Sequence, residues 1–248
     1  MFVNNTLKTM KKTSLIISLL AASQLHAAVI ATENFDYANQ DVETLNGGTG
    51  WGSAWGASPN ATRRFVVSSN TALYQGGGSG TRTAQARTLS SSITVGVNDT
   101  LVVGFTLIRN ETQGGRGIGM YLVNGGANQY FIGKAINEGV GLKSSIETAS
   151  TDYTTDFASS SSSEAITATF TFDGTNTSIV LADSNETLTT YSQAGAFTFD
   201  GVSLAGYHQA TTTNGIDSIS VDLTTVPEPS STALLGLGGL TLMLRRRK

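Results

Sequence analysis

Short runs with a period of two, broken every few residues by glycine, asparagine, aspartate or serine, constrain this chain more than any other feature. They include Arg64-Phe65-Val66-Val67, Leu101-Val102-Val103-Gly104-Phe105-Thr106-Leu107-Ile108 and Ile118-Gly119-Met120-Tyr121-Leu122-Val123. Further along come Ile166-Thr167-Ala168-Thr169-Phe170-Thr171-Phe172, Ser178-Ile179-Val180-Leu181, Val202-Ser203-Leu204-Ala205-Gly206-Tyr207 and Ile216-Asp217-Ser218-Ile219-Ser220-Val221. Such alternation puts one set of side chains on each face of an extended strand, and β-branched residues fit a pleated surface. No window of residues 28–224 keeps an apolar stripe through three helical turns. The pattern predicts an all-β body of two antiparallel sheets, with about 11 to 14 strands in all. With 28 glycines and 13% charged residues, a helical bundle or coiled coil is excluded. The absence of cysteine excludes a disulfide framework, a thiol nucleophile, a zinc knuckle and a cysteine-ligated iron–sulfur cluster.

The two ends follow different rules. Lys8, Lys11 and Lys12 precede the apolar run Leu15-Ile16-Ile17-Ser18-Leu19-Leu20-Ala21-Ala22, and small residues close the segment at Ala27-Ala28. A basic stretch, a short apolar core and an alanine-ended site predict a secretory signal peptide over residues 1–27, cut after Ala27 or Ala28. An uncleaved anchor is the alternative, and Met10-Lys11-Lys12 would open a more compact signal. At the other end, Val226-Pro227-Glu228-Pro229 is followed by Ser230-Ser231, an apolar stretch to Leu244, and Arg245-Arg246-Arg247-Lys248. These residues resemble the PEP-CTERM sorting signal in all three parts and in their order. The resemblance covers residues 225–248, with a motif at 226–229, a membrane helix over about 231–244 and a basic end at 245–248. It implies an exosortase-type membrane enzyme as partner, removal of the tail, and passage to the cell envelope, the surface or an exopolysaccharide matrix.

Physical chemistry agrees with that layout. Residues 232–244, if helical, rise about 20 Å, short of a ~30 Å hydrocarbon core, a gap that snorkelling arginines or local thinning would close. The four terminal cations hold that end on the cytoplasmic side and leave the body outside. Gly236, Gly238 and Gly239 weaken the helix and offer a narrow face for packing against another membrane protein. Pro227 and Pro229 keep the preceding residues extended, a form that a processing enzyme can grip. A tail anchor that is never cut is the competing reading.

Between the ends lies a strongly acidic body. Setting aside Lys8, Lys11, Lys12, the four C-terminal cations and Glu228 leaves eight basic and seventeen acidic residues, a net charge of −9 against −3 for the whole chain. Nucleic-acid binding needs a basic footprint that this body lacks. Within residues 28–224, Thr171-Phe172-Asp173-Gly174-Thr175-Asn176-Thr177-Ser178-Ile179-Val180-Leu181 resembles the central hairpin of concanavalin A-like and laminin-G-like domains. The closing run Gly215–Val221, the opening Glu33-Asn34-Phe35-Asp36-Tyr37 and Gly47-Gly48-Thr49-Gly50-Trp51 are similar to the corresponding parts of such modules. That resemblance implies an antiparallel two-sheet jelly-roll sandwich, often carbohydrate-binding. The Glu-x-Asp-x-x-Glu run of the family's glucan hydrolases does not occur in this sequence.

Several constellations have both a functional and a structural reading. Trp51 and Trp55, set among glycines, would either stack on sugar rings as a carbohydrate-binding platform or fold back to cap the core. Tyr121, Tyr130 and Phe131 would line a concave face or simply follow strand alternation. Glu33, Asp36 and Asp217 would come together as oxygen ligands for calcium if the first and last strands pair. His208, the one histidine left once the signal peptide is removed, sits at a strand end without a Gly-x-Ser-x-Gly elbow. Glu138, Glu147, Asp152 and Asp156 are candidates for the paired carboxyls of glycan cleavage, or are solvated loop residues. Gly76-Gly77-Gly78-Ser79-Gly80 lacks the Lys-Ser/Thr of a phosphate loop and reads as a hairpin loop, and Ser159–Ser163 as a low-complexity loop. No residue is assigned a catalytic role. The expected function is that of an exported, envelope- or matrix-sorted protein whose sandwich binds carbohydrate or acts structurally. A secreted glycan hydrolase or lyase, and a purely structural self-associating surface protein, are the alternatives.

Overall fold

The computed structural model describes residues 26–59, 62–76, 83–108, 117–134, 143–147, 152–156, 163–184, 187–207 and 214–226. Among these are fifteen strands and no helix. In chain order they are β1 (His26–Glu33), β2 (Gln40–Asp41), β3 (Arg63–Ser68), β4 (Thr71–Gly76), β5 (Thr83–Thr94), β6 (Thr100–Ile108), β7 (Gly117–Asn124) and β8 (Ala127–Lys134). They continue with β9 (Lys143–Glu147), β10 (Asp152–Asp156), β11 (Ser163–Phe172), β12 (Asn176–Ala182), β13 (Thr187–Ala194), β14 (Thr198–Tyr207) and β15 (Gly215–Thr225). Residues Ala28–Leu223 form one compact unit, and the two chain ends are assigned to a second, of which only residues 26–27 and 224–226 are described.

Two antiparallel sheets result. One has nine strands in the order β13-β12-β11-β6-β15-β4-β3-β2, with β1 also paired to β15, and the other has six in the order β10-β9-β8-β7-β14-β5. The alternation predicted from sequence decides which side chains face inward. In β6, Leu101, Val103, Phe105 and Leu107 are buried, and the residues between them are half-buried. In β11, Ile166, Ala168 and Phe170 point to the same interior. The six-stranded sheet adds Ile118, Met120 and Leu122 from β7 and Val202 and Leu204 from β14, and all of them join a single hydrophobic cluster.

Aromatic rings bind the two layers. Phe197, just before β14, stacks on Phe170 of β11 at 4.6 Å and 12° and lies 5.5 Å from Tyr130 of β8. A Cβ at Gly206 of β14 would sit 2.5 Å from the ring of Tyr74 in β4, so that glycine is what lets the sheets close there. The β11–β12 hairpin turns at Asp173-Gly174, as its sequence predicts. Gly174 has φ +97°, and the Asp173 carboxylate accepts the backbone N–H groups of Thr175 and Asn176, each at 2.7 Å. Those two bonds hold the exposed carboxyl of Asp173 below its ordinary titration range.

The strand count exceeds the expected 11 to 14 because several strands carry little alternation. β2 is two residues long, β9 (Lys-Ser-Ser-Ile-Glu) and β10 (Asp-Tyr-Thr-Thr-Asp) are polar, and half of β13 is threonine and serine. Neighbouring strands supply the pairing that local pattern does not announce. Residues 1–25 of the expected signal peptide, residues 77–80 and 159–162 of the expected loops, and the sorting segment from Pro227 onward lie outside the described residues.

Candidate functional site

Among the described residues, the most concentrated polar chemistry lies where the segment between β1 and β3 wraps along β5. Backbone bonds fix that wrap: Gly52 N–H to Thr88 O at 3.0 Å, Ser90 N–H to Gly50 O at 2.9 Å and Gly56 N–H to Ala86 O at 2.8 Å. Gly50 has φ +79°, and a Cβ there would lie 1.8 Å from Ile30 O, so only glycine brings this loop against β1. The wrap lays Trp51 and Trp55 over β5. There strand parity turns Gln85, Arg87 and Leu89 inward, and all three are buried.

Arg87 is 1% exposed and almost fully engaged. One amino group pairs with Glu33 Oε2, the other donates to Asn46 Oδ1 at 3.0 Å and Gly47 O at 2.7 Å, and Nε donates to Ser53 O at 2.8 Å. The guanidinium also lies 4.9 Å from the ring of Trp51 and 5.7 Å from that of Trp55. Glu33, likewise 1% exposed, accepts from Phe35 N–H at 2.9 Å, from Tyr37 Oη–H at 3.0 Å and from Trp55 Nε1–H at 3.4 Å. Burial and the Glu33 carboxylate beside it push the Tyr37 hydroxyl above its usual titration range, partly offset by the Gly47 N–H that it accepts. A buried ion pair holds only when its hydrogen-bonding capacity is satisfied, as it is here. The arrangement is a lock that ties the 29-residue connection between β1 and β3 to the sandwich core, with its polar atoms directed at the protein itself. Arg87 had no assigned role from sequence, although its parity with Leu89 and Ile93 marks a charge on a core face that needs a buried acid.

The candidate residues named from sequence fall in separate places. Trp55 is 2% exposed and stacks on Phe35 at 5.9 Å, and the half-buried Trp51 donates from Nε1 to Thr32 O at 2.8 Å. The pair caps the core and does not offer two open indole faces. Glu33 is committed to Arg87, Asp36 is exposed, and Asp217 sits half-buried on β15. Among the described residues, no group of three or more His, Cys, Asp or Glu side chains is placed to hold a metal ion. Burial raises the Asp217 carboxyl above its ordinary range, although Ser218 N–H donates to it at 2.9 Å.

Tyr130 and Phe131 part company across β8. Tyr130 faces the core, donates to Gln193 Oε1, and has its hydroxyl pushed up to about 12 by burial and by nearby Tyr191. Phe131 pairs with Tyr121 on the opposite face, ring centroids 5.4 Å apart, and is itself fully buried. Register sets Glu147 of β9 opposite Asp152 of β10, and Lys143 opposite Asp156. Glu138 and His208 lie outside the described residues, as do Pro227, Glu228, Pro229, Arg245, Arg246, Arg247 and Lys248. Val226 is the last residue described.

Fold and lock together define a two-sheet β-sandwich with an internally satisfied polar centre. Residues 225–248 match the PEP-CTERM protein-sorting motif, which marks a secreted, envelope-sorted chain and implies exosortase-mediated processing. No curated protein matches the sequence. Structural neighbours are lectin and carbohydrate-binding sandwich folds together with glycan-acting enzymes. An endo-1,3-beta-glucanase from Streptomyces sioyaensis is 12% identical, with 81% of this chain and 97% of that one covered at a TM-score of 0.47. The CBM2 module of an evolved Dit from Lactobacillus casei BL23 phage J-1 is 9% identical, with 83% and 99% covered at 0.48. Lectin II from Ulex europaeus is 12% identical, with 68% and 94% covered at 0.40. All three scores lie below 0.5, and none of these likenesses bears on ligand or chemistry.

Two stability measurements test this reading of the buried charges, one at the polar centre and one at Asp217. Arg87→Met, which strands the Glu33 carboxylate in the interior, costs about 3–5 kcal/mol in urea unfolding. Adding Glu33→Gln to Arg87→Met recovers part of that loss, because the two sites are coupled. A double variant as unstable as the sum of the single ones contradicts the lock. Asp217 has a raised folded-state titration point, so it binds its proton more tightly folded than unfolded. Its ionisation therefore removes stability as pH rises above the ordinary carboxylate value near 3.8. Asp217→Asn melts at a higher temperature than wild type at neutral pH, and the difference closes below that value.

Proposed function

We propose that this chain is exported, held in the inner membrane by its C-terminal segment, released by an exosortase-type enzyme and delivered to the cell envelope or extracellular matrix. There its sandwich associates with surface polysaccharide by binding, without a catalytic step. The match of residues 225–248 to the sorting motif carries the proposal. It is supported by a body of net charge −9, which suits a solvated extracellular setting and disfavours nucleic-acid or anionic-lipid partners. Glycan cleavage is a second reading, resting on the cross-strand register of Glu147 with Asp152. It predicts release of reducing ends that Glu147→Gln abolishes, where the binding reading predicts no release at all.

Cell fractionation tests the routing. The wild-type chain is expected in the envelope and matrix fractions. The triple variant Pro227→Ala, Glu228→Ala, Pro229→Ala is expected to stay in the inner membrane with its tail attached. An identical distribution for the two chains overturns the proposal.

A further inference from the structure

The outer face of the nine-stranded sheet has an unusual chemistry over β13, β12, β11 and β6. Register aligns Ser192, Ser178, Thr171 and Thr100 in one row across the four strands. The next row is Thr190, Val180, Thr169 and Val102, and the one after it Thr187, Ala182, Thr167 and Gly104. All twelve positions are exposed or half-buried, and eight of them carry a hydroxyl. On the neighbouring β15, Ser218 lies 3.3 Å from Thr106, hydroxyl to hydroxyl, but that strand also carries the half-buried Asp217 and Asp222, so the uncharged rows end at β6. The only charged residue in these four strands is Glu164, and it is buried on the inner side. No aromatic side chain interrupts the rows.

Elimination narrows what such a face can bind. Phosphate backbones and anionic lipids need lysine or arginine, and the rows contain neither. Protein hot spots are built on tryptophan, tyrosine and arginine, which are equally missing, and a second copy would bring another body of net charge −9 against the first. What remains on offer is a two-dimensional array of hydroxyls and methyls. Its period is about 4.8 Å between strands and ~6.8 Å between successive rows. The shorter period is close to the length of one sugar ring in an extended chain. Each threonine presents a donor–acceptor hydroxyl beside an apolar methyl, and a pyranose presents hydroxyl edges and C–H faces in the same pairing.

We propose that this threonine-serine face is a docking surface for an extended, uncharged polysaccharide lying across the strands. The inference rests on the polysaccharide reading above and assigns it a place, the sheet opposite to the one bearing Tyr121 and Phe131. Contact is spread over many weak hydroxyl pairs, so affinity grows with polymer length and is insensitive to salt.

Co-sedimentation of the full chain, kept soluble in detergent, with insoluble cellulose and with insoluble β-1,3-glucan tests it, with alginate gel as the acidic comparison. The chain is expected to pellet with at least one neutral polymer and not with alginate, equally at about 0.1 M and 1 M salt. Thr169→Lys with Thr190→Lys should weaken binding by about tenfold or more, because a lysine ammonium pressed under a neutral chain loses its water without gaining a partner. Thr88→Lys, on the exposed outer side of β5, should leave binding unchanged. If the lysine pair fails to fold, Thr169→Val with Thr171→Val keeps the β-branched shape, removes two hydroxyls, and should also weaken binding. Full binding by the Thr169 variants, with loss in Thr88→Lys, overturns this placement and leaves the polysaccharide reading standing. No binding of wild type to any of the polymers overturns that reading itself. Wild-type dimers that the lysine pair dissolves would make the face a self-association surface and overturn the proposal.

Discussion

Arg87 and Glu33 depend on each other in an interior where neither charge is tolerated alone, and much of the architecture is arranged around that pairing. Arg87 is delivered by strand parity in β5, and Glu33 ends β1. Their union draws the intervening chain across the edge of the six-stranded sheet, so that Trp51 and Trp55 cover the core. The pair adds to the backbone bonds that hold the long connection from β1 to β3 along β5, where β2 contributes only two residues of pairing. Hydrophobic burial supplies the bulk driving force, and this pair specifies where the first quarter of the body goes.

The two sheets divide the remaining work. Inward alternation gives one continuous core, linked across the layers by the Phe170–Phe197–Phe199 stack. Outward alternation gives two unlike faces. On the six-stranded sheet, Tyr121 and a fully buried Phe131 lie near the glycine pair Gly119 and Gly133, whose backbones approach too closely for side chains. On the nine-stranded sheet, uncharged hydroxyl rows face outward. The uncharged rows belong to β13, β12, β11 and β6, whose only charged residue is the buried Glu164.

Much of this was legible along the chain, for reasons that differ residue by residue. Ile166 to Phe172 alternates strictly, so both its strand and its inward set could be read directly, and the Asp173-Gly174 turn followed from the need for a positive φ. The same alternation already held Thr167, Thr169 and Thr171 on one face, but a row across four strands exists only once register is fixed. β9, β10 and β13 were not legible because their residues carry little apolar alternation, and pairing with their neighbours makes them strands. The Arg87–Glu33 pair spans 54 residues, a separation at which no local pattern connects the two. Residue order leaves both readings of the tryptophans open, because the Arg87 guanidinium that both rings cover lies more than 30 residues away in sequence. The sorting motif was the reverse case, readable in full from residue order.

The central claim is that a routing tail delivers an all-strand body to the outside of the cell. Intact-mass spectrometry of the native protein, recovered from the surface or matrix fraction of the cells that make it, tests this most directly. The account predicts a mass lacking both the segment up to Ala27 or Ala28 and the residues that follow the Pro-Glu-Pro motif. A cytosolic protein of full-length mass would contradict it.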